Sequence, residues 1–88
     1  MSHDVLQRYV GTYQLGTPLV LEVTLSESGL QVRQAGQGDT FNLFAESETE
    51  FFFKAVDAQI SFVRDAQGVV TGLVLHQNGN DLAARRIR

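Results

Sequence analysis

The chain reads as all-β: an eight-stranded antiparallel up-and-down barrel with a short N-terminal helix. Three observations predict this. From Gly11 onwards, segments of about five to seven residues with alternating apolar and polar positions recur at nearly regular spacing. Turn signals built from Gly, Asn, Asp, Ser or Pro separate neighbouring segments, and the connections are too short for crossover helices. Nearly every segment is apolar on one side only, and a closed sheet of eight such strands has an interior that side chains fill or that holds one small ligand.

The helix is expected over about residues 4–10. Asp4 is an N-cap acceptor, Gln7 stands three residues on, and Val5, Leu6 and Tyr9 form one apolar stripe. So short a helix is not stable alone and must plug the sheet. Thr12-Tyr13-Gln14-Leu15 is the first strand, ended by Gly16-Thr17-Pro18. Leu19, Leu21, Val23 and Leu25 then point inward, against Glu22, Thr24 and Ser26 outward, and after Glu27-Ser28-Gly29 the alternation resumes at Leu30 and Val32. A turn at Ala35–Asp39 leads to Thr40–Leu43, with Phe41 and Leu43 inward. Ala45–Thr49, the most acidic stretch, reads as a solvated loop.

Four of the six phenylalanines fall in Glu50–Lys54 and Ile60–Val63. Alternation puts Phe51 and Phe53 on one face and Phe52 on the other with Glu50 and Lys54, so the first two are expected in the core and Phe52 outside. Asp65-Ala66-Gln67-Gly68 turns into the strand Val69–His76. Asn78-Gly79 is a strong signal for a two-residue hairpin, which sets Leu75 opposite Leu82, Leu73 opposite Ala84 and His76 opposite Asp81. Val69, Leu73, Leu75, Leu82 and Ala84 then form the core face, and Arg86 falls on it near the barrel end.

At 88 residues the chain is one domain, 1–88, with enough length for a core without a metal or disulfide. It has no cysteine, which excludes thiol catalysis and thiolate metal sites. Seven Lys and Arg against ten Asp and Glu, interspersed, argue against a nucleic-acid partner, which needs a concentrated basic surface. No apolar run approaches the length of a bilayer span. The first four residues lack the basic and apolar regions of a signal peptide, so the chain is either cytosolic or cut from a longer exported one.

Two sets of candidate site residues emerge. Phe52, Val63, Val70 and Val74 are all expected on the outer face, where a cluster of them would make a protein interface. Phe41, Phe51, Phe53, Phe62 and Arg86 point inward and would line a site for a small apolar or carboxylate-bearing molecule, with the guanidinium on the carboxylate. His76 and Asp81 face each other outside, but no motif ties a nucleophile to them. No metal-ligand spacing and no phosphate loop occurs, so no cofactor is expected.

The order Tyr9-Val10-Gly11-Thr12-Tyr13, the Leu19–Leu25 alternation, Glu46–Phe53, Phe62-Val63-Arg64-Asp65 and Gly72–Gly79 resembles a known module. It is similar to the small lipocalin-like domain of unknown function at the C-terminus of serine β-lactamase-like (penicillin-binding-protein-like) hydrolases. The resemblance covers about residues 6–88. It implies an eight-stranded barrel without catalysis of its own, packed on the hydrolase domain or on neighbouring subunits; the Ser-x-x-Lys nucleophile motif of the partner domain is absent here. The expected function is therefore a non-enzymatic accessory or interaction domain, with ligand binding inside the barrel as the alternative.

Overall fold

The computed structural model describes residues 3–15, 20–27, 29–36, 38, 40–54, 57–77 and 79–88. The expected turn at 16–18, the inward Leu19, and residues 28, 37, 39, 55, 56 and Asn78 fall outside them. A helical turn, α1 (His3–Leu6), continues as a 3-10 turn at Gln7–Tyr9. Among the described residues nine strands follow: β1 (Gly11–Gln14), β2 (Val20–Ser26), β3 (Gly29–Gln34), β4 (Thr40–Asn42), β5 (Phe44–Ala45), β6 (Glu50–Phe52), β7 (Ala58–Arg64), β8 (Val70–Gln77) and β9 (Asn80–Arg86). Among the described residues no helix is long and apolar enough to cross a membrane.

All the strands pair antiparallel in one sheet of order β4-β3-β2-β1-β9-β8-β7-β6-β5. The first and last strands meet where Tyr13 pairs with Arg86. The two edge strands are consecutive in the chain: β4 pairs with β3, β5 pairs with β6, and between them the Leu43 N–H bonds the Leu30 carbonyl at 2.9 Å. One stretch thus changes partner midway, and the sheet rolls into a nearly closed barrel. This is why nine strands stand where eight were expected: alternation detects an apolar stretch but not a break in its pairing.

The β8–β9 register is the expected one, from Gln77↔Asn80 to Leu73↔Ala84, with Gly79 at φ 78° serving the turn. Gly72 is needed for a different reason, since a Cβ there would stand 2.5 Å from the Ala84 carbonyl oxygen. Leu6 and Tyr9 of the N-terminal segment are buried in the core, with Val5 packed at its margin. Tyr9 stacks on Phe62 at 4.5 Å and meets Phe51 edge-on at 5.6 Å, while Phe51 and Phe62 pack edge-on at 5.4 Å. This aromatic knot plugs one end of the barrel.

Four inward–outward assignments need correction. Val70 is core at 3% exposure and Val69 is outside at 53%, the reverse of the expectation. Between β7 and β8 the register passes from Val63↔Gly72 to Arg64↔Val70, so Thr71 is extra and the alternation slips by one. Leu82 is 45% exposed because it lies beyond the part of β9 that β1 covers. Phe41 is 37% exposed, at the rim of the barrel and not inside it.

Candidate functional site

The outer face of β6–β9 carries two parallel rows of side chains. Glu50, Ser61, Val74 and Ala83 are successive partners across the four strands, and Phe52, Gln59, His76 and Asp81 form the adjacent row. A chain of hydrogen bonds zigzags between them. The Ser61 hydroxyl donates to Glu50 Oε1 at 2.7 Å, Ser61 Oγ lies 2.9 Å from His76 Nε2, and His76 Nδ1 lies 2.7 Å from Asp81 Oδ1.

Those distances are those of a Ser-His-Asp triad, but the surroundings of the serine are not. The Glu50 carboxylate competes with His76 Nε2 for the single hydroxyl hydrogen of Ser61. Ser61 also sits mid-strand, its backbone paired with β6 on one side and β8 on the other, so no N–H groups converge beside its Oγ as an oxyanion would require. The row acts as a polar brace across four strands. His76 and Asp81 were legible from the two-residue turn. Glu50 and Ser61 were not, because the longer β6–β7 connection carries no signal that sets a register.

Beside the brace, Val63, Val74, Ala83 and Gly72 line a shallow saddle of about 650 Å³, bordered by Gln14 and Arg85. The missing side chain of Gly72 deepens it. Val63, 45% exposed, and the half-buried Val74 therefore share one surface. Phe52 lies apart from that saddle. Its ring packs 5.7 Å from Phe44 of β5, and the Lys54 Nζ stands 4.2 Å from the Phe44 ring centre. Val70 is absent from this face altogether. Phe44 escaped the sequence reading because the strand was ended at Leu43.

The interior set also divides. Phe51 and Phe62 belong to the aromatic plug, whereas Phe41 and Phe53 meet edge-to-face at 6.2 Å at the opposite end. Arg86 sits at the plugged end, and its guanidinium donates to the carbonyls of Arg88 at 2.9 Å, Val10 at 2.8 Å, Val70 at 3.2 Å and Arg8 at 3.5 Å. Its donors are thus largely spent on tying both chain ends to β8. Nearby, Tyr13 donates to the Tyr9 carbonyl at 2.8 Å and Tyr9 donates to the Glu48 carbonyl. Burial pushes the Tyr13 phenol from 10.0 up to about 12, against the opposing pull of Arg86. Burial likewise raises Tyr9. Among the described residues no cluster of His, Asp and Glu is arranged to hold a metal ion.

The family described as "Domain of unknown function (DUF3471)" matches residues 1–86. The chain belongs to this family. The DUF3471 chain is also 30% identical over 84 residues to Penicillin-binding protein 4* of Bacillus subtilis, a match that covers 96% of this chain and 18% of that protein. The chain therefore spans less than a fifth of the length of that relative. No solved structure matches it significantly.

Proposed function

We propose that this DUF3471 chain is a lipocalin-like accessory domain without catalysis of its own, which packs through its outer face on a serine hydrolase domain or on a second copy of itself. The observation that carries the reading is the near end-to-end match of the chain to a region making up 18% of a penicillin-binding protein. A module related to a part of a larger protein needs a surface for its neighbour. The saddle at Val63, Val74 and Ala83 offers one: small apolar side chains at its centre, Gln14 and Arg85 at its border. The Phe44–Phe52 pair, across the polar brace, offers an aromatic anchor beside it.

The test is an NMR titration of the isotope-labelled chain, first with its own concentration and then with the separately expressed remainder of the Bacillus subtilis protein. Shifts concentrated at Val63, Val74, Ala83 and Phe52 are expected, and Val74→Arg should abolish them while preserving the fold. Shifts elsewhere, or none in either series, would overturn the surface assignment.

A further inference from the structure

The barrel is closed at one end and open at the other. At the end away from α1, a cleft of about 190 Å³ penetrates the interior. Its floor is Ile60, Val32 and Ala58, all buried, and its walls are the half-buried Leu21, Phe53 and Leu75. The lip is aromatic, where the Phe41 and Phe53 rings meet at 88°. The opening exists because β6 stops at Phe52 and β4 pairs only with β3, so no ladder joins the two there. Gln34 and Gln77 stand at the rim, both exposed, and neither amide bonds another side chain among the described residues. Among the described residues no charged side chain lines the cleft.

Each of these features selects among ligands. An apolar cavity of about 150 Å³ stays dry and accepts a benzene-sized guest, so this cleft has room for one ring and little more. An uncharged lining would leave a charged guest unpaired and desolvated, so the guest is neutral. Edge-to-face aromatic contact at the lip favours a ring over an aliphatic chain. The two free amides offer donors and acceptors at the height where a guest's polar end would emerge.

We propose that this mouth binds an uncharged single-ring aromatic bearing a hydroxyl group, with the ring on Leu21 and Leu75 against the Phe41–Phe53 pair and the hydroxyl bonded by Gln34 and Gln77. The cleft shares no residue with the saddle, so this inference stands apart from the accessory role. The same chemistry is presented by a free phenol and by a tyrosine side chain of a neighbouring polypeptide.

The probes are p-cresol, toluene and N-acetyl-tyrosine N-methylamide, followed by methyl and aromatic NMR of the whole chain. p-Cresol should produce saturable shifts at Leu21, Val32, Ile60 and Leu75, with a dissociation constant on the order of a millimolar or below. Toluene should bind several-fold more weakly, and the double variant Gln34→Leu/Gln77→Leu should remove that difference while leaving the spectrum folded. Leu21→Phe, which places a ring in the cleft, should weaken both. Binding of the capped tyrosine as well would assign the guest to a polypeptide, and its exclusion would assign a free small molecule. Shifts that fail to saturate, that concentrate at Phe44, Phe52 or Val63, or that persist unchanged in Leu21→Phe would overturn the site.

Discussion

The two ends of the barrel solve the same problem in opposite ways. At the helix end, Tyr9 enters between Phe51 and Phe62, Tyr13 bonds the Tyr9 carbonyl, and Arg86 gathers carbonyls from both chain termini. At the far end no such plug stands on the half-buried Leu75, and Phe41 and Leu82 remain 37% and 45% exposed. Among the described residues no buried side-chain polar atom at the first end lacks a partner, so that end is suited to carry stability. The second end leaves apolar surface partly unfilled, so its side chains are available for contact at small structural cost.

The comparison is broken most directly by truncating one phenylalanine at each end. Phe51→Ala, within the plug, should cost about 3–5 kcal/mol in urea denaturation. Phe53→Ala, at the mouth, should cost about 1 kcal/mol, in the range of an average substitution and not of a core cavity. Equal losses would mean that the two ends are equally packed. Arg86→Met comes next: it keeps the aliphatic stem but orphans several carbonyls, and should destabilise by about 1–3 kcal/mol.

Alkaline pH sharpens the contrast in another way. The Tyr13 phenol is raised in the folded state from 10.0 to about 12, so folding favours its protonated form. That contribution is complete below pH 10.0 and is lost as the pH rises towards about 12. Thermal unfolding followed across this window should show a decline that Tyr13→Phe flattens, although that variant starts about 1 kcal/mol lower for the lost hydrogen bond. The smallest effect belongs to the outer face, where Val63→Ser should change stability by no more than about 0.5 kcal/mol. A larger loss would place Val63 in the packing of the barrel and weaken the case for the saddle as an interface.

Much of this arrangement was legible in the chain. Leu30, Val32, Phe51, Ile60 and Phe62 are buried where period-two alternation puts them, and Asn78-Gly79 set the β8–β9 register that brings His76 to Asp81. The errors fall where alternation loses count. Thr71, inserted at a bulge, exchanged Val69 and Val70, and with them removed one member of the expected outer patch. The candidate ligand set failed to converge for a different reason: alternation says nothing of depth, and Phe51 is buried in the plug whereas Phe41 lies at the rim of the opposite end.

By itself the sequence determined the strand-forming segments, the hairpin registers with short turns, and the faces that must be apolar, because each depends on neighbours within a few residues. Which end is plugged, that Ser61 and Glu50 extend the His76–Asp81 pair, and that Arg86 spends its donors on carbonyls were decided by the tertiary structure alone. Those contacts join residues up to 78 positions apart, and their geometry exists only once the sheet has rolled and β4 and β5 have taken partners on opposite sides.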